Sequence, residues 1–265
     1  MVSLDLMRTP LFVPANRPER FAKAAASEAD AVILDLEDAV GPEAKDAARA
    51  ELQCGFTLKP VLVRINACAT PWHKADLAAV RALPVAGIIL PKAEEPAATA
   101  VCHRLGGDIP VLALIETALG FAHARSIAAL PGVQRLIFGS IDYCADLGCA
   151  HERDILLPVR SELVLASRLV DKPAPIDGVT ARIDDPCEIR ADAAHARALG
   201  MTGKLCIHPR QVPEVLQGFA PSADEIDWAE RVLGSGDGAV AIDGAMIDEP
   251  VRLRARHILA AAQPA

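Results

Sequence analysis

The chain has 265 residues, 52% of them hydrophobic, enough for one large core or two small ones. Its net charge of −8 at pH 7 argues against nucleic-acid or anionic-membrane partners, since both want a basic face. No apolar run approaches a membrane span, and MVSLDLMRTP lacks a basic stretch leading into an apolar core, so the expectation is a cytoplasmic protein without a secretory leader.

Apolar runs recur along the chain with helical stretches between them. TPLFVPA (9–15) comes first, followed by RPERFAKAAASEA, which has Pro18 near its start and Phe21 at helical spacing with Ala24 or Ala25. AVILDLE (31–37) precedes PEAKDAARAEL, where Gly41 and Pro42 give a helix-start pattern. PVLVRIN (60–66), GIILPKA (87–93), PVLALIET (110–117), RLIFGSID (135–142) and APIDGVT (174–180) continue the series. DPCEIRADAAHARALG then has Asp185 as N-cap, Pro186 at the first helical position and Gly200 past the end, before KLCIHP (204–209). The runs are short and apolar throughout, as parallel strands covered on both faces are. Eight such units predict an α/β fold, a (β/α)8 TIM barrel over residues 1–233. The rival, a doubly wound open sheet, wants a Gly-rich loop after its first strand, and VPANRPERF has none. Residues 234–265 read as an addition to the barrel: a Gly-rich turn, a short hairpin and a helix, forming a lid or tail that packs on its own or a neighbouring subunit.

In such a barrel the chemistry sits at the C-terminal strand ends. Those positions hold Asn16 and Arg17, then Asp35, Glu37 and Asp38, then Arg64 and Asn66, then Lys92. Glu116 and Thr117, Ser140 and Asp142, Asp177, and His208 complete the ring. Carboxylates gathered at one mouth repel and shift toward neutral forms unless a cation joins them. All the donors are oxygen, which points to a hard ion, Mg²⁺ before Mn²⁺. Glu116 and Asp142 each stand alone at a strand end and are the direct ligands expected, with Glu37 and Asp38 holding metal-bound waters. Taken singly, each carboxylate also fits a loop or cap role. Arg64 fits either an internal salt bridge or a clamp on a substrate carboxylate or enolate. Lys92 fits a Schiff-base amine, though no feature lowers its pKa. His208 either positions substrate or caps its loop. The seven cysteines are scattered without a CxxC pair, as expected for reduced thiols, with no zinc site.

LFVPANRPERF, AVILDLEDAV with EAK..AR after it, VLVRIN, ILPKAE, ALIET, FGSIDY, KLCIHPRQV and GAMIDEP, in this order, resemble the citrate lyase β-subunit-like proteins of the HpcH/HpaI aldolase superfamily. The resemblance spans almost the whole chain and departs at Ala15, where the family commonly has Gly, which touches the loop near a CoA or acyl chain. It implies a Mg²⁺-dependent lyase that cleaves or forms a C–C bond in a 3-hydroxyacyl-CoA thioester of the citryl-, malyl- or citramalyl-CoA type. It implies Glu116 and Asp142 as metal ligands, Glu116 also meeting substrate, Arg64 as a substrate-binding catalytic group, and Glu37 and Asp38 in support. Phe12, Arg17 and Lys23 fall where relatives contact CoA, and Ile207 and His208 on a substrate-side loop. Asp248 in GAMIDEP matches an acid reaching into a neighbouring subunit's site, which implies a homotrimer or hexamer. Three other readings remain. One is a metal-dependent aldolase on free 2-oxo acids, a second the β subunit of a citrate lyase complex acting on an acyl-carrier thioester, and a third a non-catalytic binding subunit. Direct CoA binding separates a free-standing acyl-CoA lyase from a complex subunit, which accepts a carrier arm.

Overall fold

All eight apolar runs form strands: β1 (Pro10–Pro14), β2 (Ala31–Asp35), β3 (Val61–Arg64), β4 (Gly87–Leu90), β5 (Val111–Ile115), β6 (Val133–Phe138), β7 (Ile176–Asp177) and β8 (Gly203–Lys204). They pair in sequence order, and every pair is parallel. Phe12 N–H donates to the Cys206 carbonyl at 2.9 Å and Cys206 N–H to the Pro10 carbonyl at 2.9 Å, so β1 meets the residues following β8 and the ring draws shut. This is the (β/α)8 barrel the sequence predicts. The structure, a computed structural model, describes residues 3–236, 240–242 and 245–262.

Helices between the strands start and stop where the chemistry directs. The Asp185 carboxylate accepts from Glu188 N–H at 3.0 Å and opens the helix Pro186–Ala198, and Gly200 takes φ +93° beyond its end. Every residue of β2 to β5 is buried, which explains their unbroken apolar runs. Ile33, Leu62, Leu112, Leu114, Ile137, Ile176 and Leu205 form one core cluster. Side chains alternate along a strand, so Asp35 shares the face of Ile33, Arg64 that of Leu62, and Glu116 that of Leu114. The barrel's own period thus delivers charged groups above its apolar filling.

The chain divides into two compact units, Met1–Leu216 and Gln217–Ala265. In the second, Ser222 and Glu225 close a reciprocal capping box on the helix Ala223–Gly234. A two-stranded antiparallel hairpin follows, β9 (Val240–Ile242) and β10 (Ala245–Ile247), then the helix Glu249–Ala262. Ala229, Val232, Ile247, Ala255 and Ile258 make this unit's core, and Arg254 covers the Trp228 ring at 5.0 Å. The short hairpin and the helix expected after residue 234 form, while the expected Gly-rich turn falls largely on residues 237–239, which with 243, 244 and 263–265 lie outside the described residues. Among the described residues no helix is long and apolar enough to cross a membrane.

Candidate active site

A cavity of about 370 Å³ opens at the C-terminal strand ends, lined by Asp35, Asp38, Arg64, Glu116, Ser140 and Asp142 among others. Three of the expected carboxylates meet around one ammonium. Lys92 Nζ lies 3.0 Å from Glu37 Oε1, 3.7 Å from Glu116 Oε1 and 3.7 Å from Asp142 Oδ1. Its backbone N–H donates to Glu116 Oε1 at 2.7 Å, from a residue held at φ +47°. A left-handed conformation is uncommon for a side-chain-bearing residue, and here it turns the chain so that amide and ammonium address the same carboxylate. Burial opposes the Lys92 charge, but Glu116, Glu37 and Asp142 together raise its pKa well above the ordinary lysine value. That locks the amine in its protonated form, the opposite of what a Schiff-base lysine needs.

Glu116 is 1% exposed, and burial, followed by the Glu37 and Asp142 charges, pushes its carboxyl up to about 8. Burial likewise raises Glu37, with Asp38 adding to it. One lysine therefore does not neutralise the group. Glu37 Oε2 is buried and accepts no hydrogen bond, although Arg64 Nη1 lies 3.1 Å away. Gly139 completes the cradle, because a Cβ there would collide with Glu116 Oε2.

Arg64 makes the internal salt bridge that one reading of it expects. Its Nε and Nη2 grip Asp35 Oδ1 and Oδ2 at 2.7 and 2.6 Å, a buried fork-to-fork pair, while Nη1 reaches Asp38 Oδ2 at 3.2 Å on the cavity wall. Burial works against its charge, and Asp35 more than restores it. The guanidinium lies 4.7 Å above the Phe12 ring. Asp35 is thus the residue that aims Arg64, a role that its place at the end of β2 did not disclose. Lys45 is a second residue without an assigned role in the sequence reading. Buried in the helix after β2, it donates to the Leu36 and Glu37 carbonyls, both at 2.7 Å, and so fixes the turn that carries Glu37 and Asp38. It belongs to the EAK triplet, where a helical lysine one turn in reads as surface. Ser140 is also inside the cavity, its hydroxyl 2.9 Å from His151 Nε2.

Phe12 and Ile207 also line a second cavity of about 340 Å³, with Arg20, Lys23 and His208. Two of its wall residues are exposed cations, Arg20 and Lys23, and Arg20 adds to the set the sequence singled out. Arg17 instead pairs with Glu19 at 2.9 Å on the surface. His208 Nδ1 accepts from Arg210 N–H at 3.1 Å, so the ring does cap its loop. Burial, then Arg210 and Lys23, lower its pKa, leaving a neutral ring with its proton on Nε2. Asp248 belongs to the second unit, where its carboxylate accepts from Val251 N–H at 3.2 Å and starts the last helix. Asp177 does not line the acidic cavity. It is fully buried and paired with Arg160 and Lys204.

Among the described residues no three His, Cys, Asp or Glu side chains are placed to hold a metal by themselves. Mg²⁺ needs only one or two protein carboxylates and keeps waters for the rest of its shell. Glu116 and Asp142 converging on one cation, with surplus negative charge and a Glu37 oxygen that accepts no hydrogen bond beside them, fit such an ion.

The architecture and mouth define a (β/α)8 barrel whose strand ends gather carboxylates around a cation, with a basic cavity alongside. The chain belongs to the HpcH/HpaI aldolase/citrate lyase family, whose model matches residues 8–209. It is 39% identical to a citrate lyase subunit beta-like protein of Deinococcus radiodurans, over 96% of each chain. It is 32% identical to a (3S)-malyl-CoA thioesterase of Cereibacter sphaeroides, covering 97% of this chain and 94% of that one. Its fold matches Mycobacterium tuberculosis CitE in complex with magnesium, acetoacetate and coenzyme A, with TM-score 0.88 and 37% identity over 98% and 99% of the two chains.

Proposed function

We propose that this protein is a Mg²⁺-dependent carbon–carbon lyase acting on a 3-hydroxyacyl-CoA thioester of the citryl-, malyl- or citramalyl-CoA type. It releases acetyl-CoA and a 2-oxo acid, or runs the reverse condensation. The observation that carries this reading is a shared wall. Phe12 and Ile207 line both the acidic mouth and the cavity holding Arg20 and Lys23, so a ligand can bridge a cation-seeking site and an anion-seeking one. An acyl-CoA has that polarity, with oxygen-rich acyl group at one end and phosphates at the other. A relative with CoA and magnesium bound supports the same assignment.

Glu116 and Asp142 would hold the ion, with Mn²⁺ as a substitute, and Glu37 and Asp38 its waters. Bound there, the ion supplies Lewis-acid polarisation of the oxo-acid oxygens. The protein's own groups do the remaining work. Arg64, aimed by Asp35, presents Nη1 to the developing oxyanion and so favours the transition state over the ground state. Lys92 keeps the carboxylate cluster in one geometry while the cavity stands open. Lys23, Phe12 and Arg20 bind the CoA portion, and His208 and Ile207 shape the passage. Asp248, contributed by a neighbouring subunit of a homotrimer or hexamer, exchanges the proton of the acetyl methyl.

The test is a panel assay with Mg²⁺ and each thioester, with and without EDTA, following acetyl-CoA, 2-oxo acid and free CoA. EDTA-sensitive release of acetyl-CoA with its oxo acid from one thioester is the expected result. Cleavage of free oxo acids alone, or free CoA without acetyl-CoA, would replace this reading by an aldolase or a thioesterase.

A further inference from the structure

Away from the mouth, the loop after β3 and the helices His73–Arg81 and Glu95–Leu105 enclose a third cavity of about 410 Å³. Cys68 and His73 share its wall, with Cys68 Sγ 3.6 Å from His73 Nε2. His73 Nδ1 lies 2.8 Å from the Asn66 carbonyl, which can only accept, so Nδ1 carries the proton. That fixes the tautomer: Nε2 has a free lone pair, and it faces the thiol. The backbone behind it is held firmly, since Asn66 N–H and Nδ2 both donate to the buried Asp76 carboxylate, at 2.9 and 2.6 Å. His73 is 8% exposed, whereas Cys68 is exposed. The pair therefore has the parts of a base-assisted nucleophile, an accessible sulfur, a sheltered base and a carbonyl that orients the base. Nothing in the lyase chemistry uses it.

Two exposed cations, Lys74 and Arg104, line the same cavity, and among the described residues no acid does. Burial and the Glu94 charge hold the Cys68 thiol above its ordinary range, so it rests protonated and reacts only if a base takes its proton during attack.

We infer that Cys68 is a site of S-thiolation by small anionic disulfides, with His73 as its general base. Cys68 sulfur attacks one sulfur of the disulfide RS–SR, and the thiol proton passes to His73 Nε2. The S–S bond breaks, Cys68–S–SR forms, and the departing RS⁻ takes the proton as RSH. The incoming disulfide is the oxidant, and no other reactant is needed. Lys74 and Arg104 select a carboxylate-bearing disulfide over a cationic one.

The experiment treats the full-length, reductant-free protein with oxidised glutathione or, separately, with cystamine, and maps adducts by peptide mass spectrometry over time. Cys187, also exposed but outside this cavity, is the internal reference. Cys68 is expected to react before Cys187, and faster with oxidised glutathione than with cystamine. His73→Gln should slow Cys68 on the order of a hundredfold and leave Cys187 unchanged. Cys68→Ser should abolish the leading adduct. Equal rates at Cys68 and Cys187 in the wild-type protein, or unchanged Cys68 labelling in a folded H73Q variant, would overturn the inference. The wild-type comparison decides the matter even if H73Q does not fold.

Discussion

Two sides of the barrel mouth bury acid in opposite ways. Around β7 and β8, Asp177 receives Arg160 Nε at 2.8 Å and Lys204 Nζ at 2.9 Å, and nothing of it is exposed. Burial pushes its carboxyl up, but the two cations outweigh that and hold it below the usual range. Around β2, β5 and β6, Glu37, Glu116 and Asp142 share one lysine, and burial keeps Glu116 up near about 8. In the first group the acid is matched by cations of the protein itself. The second is short of positive charge and open to a cavity, the condition of a site that waits for a ligand.

The largest effect expected of breaking this contrast is on catalysis. Glu116→Gln or Asp142→Asn should lower kcat/KM by roughly 10²–10⁴, the loss of several kcal/mol of transition-state stabilisation, with an unchanged circular dichroism spectrum. Isothermal titration should show Mg²⁺ binding weakened in parallel. A variant that loses activity but binds Mg²⁺ as the wild type does would remove that residue from the ligand set.

Stability should separate the two acids next. Asp177→Asn leaves Arg160 and Lys204 facing a neutral group, and breaking a buried pair from one side costs about 3–5 kcal/mol, read as a lower denaturant midpoint. Glu116→Gln should do the reverse in metal-free protein. Because the folded pKa of Glu116 is raised, its contribution to stability is intact below the ordinary value of 4.5 and is lost as pH rises through about 8. The wild-type protein in EDTA should therefore weaken between those pH values by an amount on the order of a few kcal/mol, and E116Q should not. Parallel losses in both variants at pH 9 would mean that the two clusters are equally self-sufficient.

A third measurement concerns protons. At pH 7 metal-free Glu116 is largely protonated, so Mg²⁺ binding there should release close to one proton, and release should fade as pH climbs past about 8. Titration calorimetry in buffers of different ionisation enthalpy reads the number directly. Uptake of protons, or none at pH 7, would place the ion away from Glu116.

The difference between the two clusters also marks where the sequence stopped being legible. The barrel was readable because eight short apolar runs each end in polar residues, and period-two alternation assigns those residues to the mouth. Glu116 was legible for the same reason, whereas Asp142, expected at the end of β6, lies in the first turn of the helix Ser140–Leu147 that follows it. Asp177 was not, because it ends its strand like the others, and its partners lie 17 residues back in the helix Arg153–Arg168 and 27 residues ahead on β8. Lys92 looked like an isolated strand-end amine, since the three acids that surround it come from 24 to 55 residues away. Arg20 was hidden in an ordinary basic turn, and only the cavity ties it to Lys23. Residue identity and strand period locate a mouth; which charges cancel there depends on contacts across the barrel.

The smallest expected effect tests the basic cavity beside the acidic mouth. Arg20 and Lys23 are exposed, so water screens their attraction for a phosphate, and each is worth less than a buried pair. Arg20→Ala or Lys23→Ala should raise KM for an acyl-CoA roughly tenfold and leave kcat near its wild-type value, as loss of uniform binding does. The two changes should add, because the side chains act on a flexible polyanion as separate charges. The wild-type KM should rise with salt, and more steeply than that of either variant. Neither change should alter Mg²⁺ affinity, since the cations sit beyond Phe12 and Ile207 from the carboxylates. A fall in kcat with KM unchanged would place Arg20 and Lys23 in the reaction itself and merge the two cavities into one site.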